Sequence, residues 1–165
     1  MVGTLDRLRA AGCRPLLVVI GAAAEQVRNV LPGDALAVQN PQWPFGMGSS
    51  LRAGLVAAAR LDEAVRAALV MLVDLPAVTT EMVTAMLATA ETAAPETLLA
   101  QARFDGRPGH PVLLGRSHWS AIAASAGGDV GAREYLRRHG ALPVPLGSAA
   151  DGADVDYSGP APAPD

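Results

Sequence analysis

Lysine is absent from this chain: all thirteen basic residues are arginine. That excludes a lysine Schiff base and a lysine phosphate clamp. One cysteine, Cys13, excludes a disulfide framework and a cysteine metal cage. No apolar run is long enough to span a bilayer. A net charge of −3 gives no bulk attraction to nucleic acid or to a membrane surface, so neither is expected as a partner. The opening MVGTLDRLRAAG is amphipathic and lacks the apolar stretch of a signal peptide, so the expected location is the cytoplasm. Aromatic residues make up only 4% of the chain. One of the two tryptophans and one of the two phenylalanines nevertheless fall in a single turn, NPQWPFGMGSSLRAG, at residues 40–54.

Half of the 165 residues are hydrophobic, enough for one domain with a real core. The run PLLVVI (15–20), ended by Gly21, reads as a strand buried on both faces, as in a parallel sheet. A second such run, AALVMLV (67–73), ends at Asp74. Helices are expected before Gly12, over 23–31, from about 50 to 61 with Ser49 as N-cap, over 79–91, 117–125 and 131–139. A short strand is expected over 35–38. Residues 97–104 and 111–114 read as strands around an Asp105-Gly106 turn, and 142–146 as a last strand. The alternation of helix and apolar strand predicts an α/β fold, mostly parallel with one antiparallel hairpin. One domain is expected over 1–156, and the Pro/Ala-rich tail 157–165 is expected to be disordered.

In such a sheet ligands gather beyond the carboxyl ends of the strands. Asp74 reads there either as a carboxylate reaching a metal ion or as a turn or capping residue. Gly46 and Gly48 permit close backbone approach to a ligand, and Ser49-Ser50 opens a helix whose N-terminus favours anions; a capped helix after a stiff turn is the alternative. In the acidic stretch Asp151–Asp156, Asp154 and Asp156 share a face if extended, and a divalent cation would relieve their repulsion; a solvated tail is the alternative. His110, between Gly109 and Pro111, is either aimed at a ligand or structural. Asp129 reads as a helix cap, and Arg133 as a helix-start residue able to bind phosphate.

Taken in order, VVIGAAAEQV (18–27), NPQWPFGMGSSLRAGL (40–55), LVDLPAVT (72–79), GRPGHPVLLG (106–115), GGDVGAR (127–133) and DVD (154–156) resemble the nucleotidyltransferases that attach a nucleotide to the molybdenum cofactor, the cytidylyltransferase-like branch above all. The resemblance implies a Rossmann-like three-layer α/β domain. It implies transfer of CMP or GMP from CTP or GTP to molybdopterin, with Mg²⁺ and with loss of pyrophosphate. It places Asp74 as catalytic metal ligand, with Asp154 or Asp156 as the second. Gly46, Met47, Ser49 and Ser50 would line the nucleoside; Pro76 would belong to the same ligand site, and His110 and Arg133 would face the pterin. A molybdoenzyme would be the receiving partner. Two other activities fit the resemblance: reduction of a quinone-like pigment by NAD(P)H, as described for actinobacterial relatives, and non-catalytic holding of the cofactor. The family pattern opens with a strand and a loop Leu-Ala-Ala-Gly-x-x-x-Arg-Met-Gly followed by lysine, which this sequence does not contain. The resemblance therefore implies about thirty further residues upstream, including a strand in the middle of the sheet (element lengths). It also implies Asp-x-Asp-Thr-Pro and a final helix, where this chain reads DVDYSGPAPAPD.

Overall fold

The run Leu16–Ile20 is strand β1, and its packing explains why it carries no polar residue. Leu16, Val18 and Ile20 are buried against Leu5 on one face. Leu17 and Val19 turn to the other, where Val19 sits so near Gly54 that a Cβ there would lie 3.2 Å from its Cγ2. In the computed structural model, which describes residues 1–91, 94–128 and 131–148, the chain runs α1 (Val2–Ala10), β1, α2 (Ala24–Val30), β2 (Ala35–Gln39), α3 (Met47–Ala59) and β3 (Ala67–Val70). There follow α4 (Thr80–Glu91), β4 (Leu99–Phe104), β5 (Arg107–Gly115), α5 (Trp119–Ser125), α6 (Arg133–Arg138) and β6 (Leu142–Gly147). The expected tail 157–165 lies outside the described residues.

Strands β1 and β2 pair in parallel, and a second sheet has the order β3-β5-β4-β6. There β5 runs against β3 and β4, while β4 and β6 are parallel. Helix α1 returns to β1, so its first turn lies beyond the carboxyl end of β1. From that turn the Thr4 hydroxyl donates to the Val73 carbonyl at 3.1 Å, just past β3. The carboxyl ends of β1, β2 and β3 therefore share one end of the molecule. Among the described residues five strands point one way and β5 alone opposes them, which is the mostly parallel α/β arrangement the sequence predicts.

Helices α1, α2 and α4 cover one face, and α3, α5 and α6 the other. The two sheets are held in line by these layers. Leu8 of α1 packs with both the β1 cluster and the cluster around Met86, and Leu55 of α3 packs with Leu17 as well as Ala68 and Val70. Between β1 and β3 the described residues form no backbone ladder. Both edges are apolar and carry neither charge nor proline, the usual protections of an open edge.

Three expected boundaries move by three residues or more. Helix α3 begins at Met47 with Gly46, not Ser49, as N-cap, because Gly46 at φ 94° can make the entry turn and the Ser49 hydroxyl is used elsewhere. Strand β3 stops at Val70, leaving Asp74 in a turn. Strand β5 is longer than 111–114 because Asp105 (φ 48°) and Gly106 (φ 76°) form a two-residue turn that pairs Phe104 with Arg107 at once.

Arg116 fastens α3 to this frame. Its guanidinium donates to the carbonyls of Ala59 (3.1 Å), Asp62 (3.2 Å) and Val65 (2.8 Å) and lies 5.2 Å from the Trp119 ring centroid. The Ala59 carbonyl ends α3 and has no intrahelical partner, so a cation there satisfies it while also tying down the loop at Asp62 and Val65. Arg116→Met is expected to lower unfolding free energy by about 1–3 kcal/mol in urea with an unchanged m-value. An unchanged midpoint would show that solvent serves those carbonyls equally well.

Candidate active site

Asn40, at the carboxyl end of β2, organises the loop that follows. It is 3% exposed, and its backbone N–H extends the parallel ladder to the Ile20 carbonyl at 2.9 Å. Its side-chain amide donates to Ser49 Oγ (2.9 Å) and Ser50 Oγ (3.1 Å), and its Oδ1 accepts the Gln42 N–H at 3.0 Å. The Ser49 hydroxyl in turn lies 2.8 Å from the carbonyls of both Gln42 and Gly46. A buried amide needs such partners. The loop is thus wound around one side chain, and Ser49, 6% exposed, faces inward.

Trp43 closes the loop against β1. A Cβ on Gly21 would lie 2.7 Å from Trp43 Cβ, so the glycine that ends β1 is the seat for the tryptophan. Trp43 still exposes 48% of its surface and Phe45 73%, and Met47 is also exposed. Together they form an apolar rim. On the other side, Gly48 N–H donates to the Gly128 carbonyl at 2.8 Å.

Asp74 and Pro76 are exposed in the turn after β3. Leu75 and Val78 are buried, and the Val73 and Pro76 carbonyls accept from Thr4 (3.1 Å) and Arg7 (2.6 Å) of α1. The backbone is therefore pinned while the Asp74 carboxylate stays in water. His110 enters on β5, and its Nδ1 lies 3.3 Å from the Val70 carbonyl. Since a carbonyl only accepts, Nδ1 carries the proton, and the ring is fixed at the end of β3. Arg133 is the exposed first residue of α6. Glu134 engages Arg137 (2.7 Å) and Arg138 (2.8 Å), which pulls its carboxyl down to about 2. Among the described residues Arg133 has no ion pair.

Gly46, Met47, Ser49, Ser50, Asp74, Pro76 and His110 thus lie on elements that meet at one end of the sheet. Asp154, Asp156 and Asp129 lie outside the described residues. Among the described residues no three His, Cys, Asp or Glu side chains form a metal-binding group. Two concavities of about 350 and 550 Å³ run along α2 and Gln39 and include none of the expected site residues. The residues that sequence reading missed are those that support the loop: the Asn40 amide, Gly21 under Trp43, and Arg52.

Residues 2–143 match the model of the MobA-like NTP transferase domain. The chain belongs to this family. It is 32% identical over 161 residues to nicotine blue oxidoreductase of Paenarthrobacter nicotinovorans, covering 92% of this chain and 75% of that protein. The MobA-like chain also superposes on Rv0371c of Mycobacterium tuberculosis H37Rv with a TM-score of 0.76 at 25% identity, covering 94% of this chain and 77% of that one. Rv0371c in complex with manganese aligns with a TM-score of 0.71, again at 25% identity, over 94% of this chain and 80% of that one. Family membership supports a nucleotidyltransferase-like role. Among the described residues no helix is long and apolar enough to cross a membrane.

Proposed function

We propose that this MobA-like domain transfers CMP or GMP from CTP or GTP to molybdopterin. A terminal phosphate oxygen of the pterin forms a bond to the α-phosphorus, the bond from that phosphorus to the bridging oxygen breaks, and pyrophosphate leaves with the electron pair. What carries the reading is Asp74, an exposed carboxylate on a pinned turn beyond β3, at the same end of the sheet as the first turn of α3. A hard oxygen donor open to water suits Mg²⁺, which takes one or two carboxylates and completes its shell with water and phosphate. Asp74 would hold it, with Asp154 or Asp156 as second ligand. When bound, Mg²⁺ supplies neutralisation of the phosphate charge.

The chain's own residues position the reactants. Met47 and Ser50, with the backbone of Gly46, form the nucleoside wall, and Ser49 supports that wall from behind. His110, held by Val70, and Arg133, its charge not shared with Glu134, face the pterin phosphate, with Pro76 beside Asp74. Such transfer depends on positioning and electrostatics and needs no protein nucleophile. The test is pyrophosphate release by the purified protein with Mg²⁺ or Mn²⁺, molybdopterin and either nucleotide. Release that requires all components is expected, and no turnover of CTP or GTP would sink the reading.

The name of the 32% identical relative favours a second reading, reduction of a quinone-like pigment by NAD(P)H. The exposed Trp43 and Phe45 would suit a planar ring. Loss of NAD(P)H absorbance with a quinone acceptor, and no pyrophosphate, would select it. Binding of the pterin without either reaction, unchanged by Asp74→Ala, would instead indicate a protein that holds the cofactor and delivers it to a molybdoenzyme. The cytoplasm is the proposed location.

A further inference from the structure

The first turn of α3, which the proposed function uses as its nucleoside wall, has a second support on the side away from Asn40. Gly48 approaches the end of α5 so closely that a Cβ on it would lie 2.6 Å from the nitrogen of Gly127 and 2.9 Å from its Cα. The Gly48 N–H donates to the Gly128 carbonyl at 2.8 Å. One helical turn on, on the same face of α3, Arg52 donates its Nε–H to the Ala123 carbonyl at 2.9 Å and an Nη2–H to the Ala126 carbonyl. Those carbonyls end α5, where a helix leaves acceptors unpaired and favours a cation. Gly128 itself sits at φ 53° and offers no side chain to hold its place. The guanidinium therefore ties the end of α5, already seated by the buried Ile122 and Ala126, and with it the Gly128 carbonyl, against Gly48.

We infer that Arg52 is a positioning residue. It seats Met47–Ser50 by clamping the end of α5, and it touches no ligand itself. The first observable needs no ligand. In Arg52→Met the Gly48 amide should exchange with solvent about tenfold faster or more, together with amides near 123–128, while amides of β4 and β5 keep their protection. Arg52→Lys keeps a cation with a single donor group and should fall between the two. If Arg52→Met does not fold, Arg52→Lys carries the same comparison with a smaller shift. Unchanged exchange at Gly48 in the folded variants would overturn the inference, as would equal loss of protection in every strand.

The second observable rests on the proposed function. KM for the nucleotide should rise about tenfold in Arg52→Met with kcat within about twofold, and Arg52→Lys should recover part of the loss. A fall in kcat at constant KM would overturn the positioning role. If the unmodified protein turns over neither CTP nor GTP, the transferase reading fails, and the exchange comparison alone decides the role of Arg52.

Discussion

Replacing Asp74 by asparagine is expected to lower metal-dependent pyrophosphate release by about a thousandfold and to leave stability within about 0.5 kcal/mol. The two halves of this result have separate physical causes. Asparagine keeps the shape of the side chain but removes the negative charge, and Mg²⁺ binds hard anionic oxygen far better than a neutral amide. A loss of that size corresponds to about 4 kcal/mol of transition-state stabilisation, in the range a metal ion supplies to phosphoryl charge. Stability should be insensitive because the turn is held by other groups. Leu75 and Val78 anchor it in the core, and Thr4 and Arg7 take its carbonyls. Kinetics against Mn²⁺ concentration and a urea titration of the same variant measure both halves. A stability loss with unchanged release would make Asp74 a turn residue only, which is the other reading its position permits.

What the sequence made legible depended on how local the cause was. LLVVI could be read as a strand buried on both faces because its environment writes directly onto its composition. The Asp105-Gly106 turn was legible for the same reason, since positive φ selects those residues. The neighbour of β3 was not legible. It is β5, paired antiparallel from Ala67↔Gly115 to Val70↔Val112, and no periodicity in AALV encodes a partner more than forty residues away. Ser49 misled because serine before a helix is ordinarily a cap, whereas here the buried amide of Asn40 competes for its hydroxyl. Arg52 and Arg116 show the same limit from the surface side. Nothing in the local pattern marks either residue, and each reaches carbonyls between 51 and 74 positions distant. The candidate site was legible as a set of segments, through resemblance; the contacts that hold those segments together were not.

The loop itself is the place to measure that difference. Asn40→Leu is expected to cost about 3–4 kcal/mol of unfolding free energy, well above an average substitution. Leucine is close in size, so the loss comes from polar partners rather than from volume. The buried Ser49 oxygen would lose the donor it accepts from, the Gln42 N–H would lose its acceptor, and leucine in Asn40's buried place offers neither a replacement. Asn40→Asp separates the two halves of the amide. Its carboxylate can still accept from Gln42 but cannot donate to Ser49 or Ser50, so it should fall between the native protein and Asn40→Leu. Because Ser49 bonds both to Asn40 and to the loop carbonyls, Asn40→Leu and Ser49→Ala should be non-additive, with a coupling of about 1–2 kcal/mol. Urea unfolding of the two single variants and the double variant gives that number. Additive losses would mean that the loop is held by its prolines and by Trp43 against Gly21 alone. A coupling of the expected size would make the buried amide the group that sets Met47 and Ser50 in place, and nucleotide affinity should then fall in step with it.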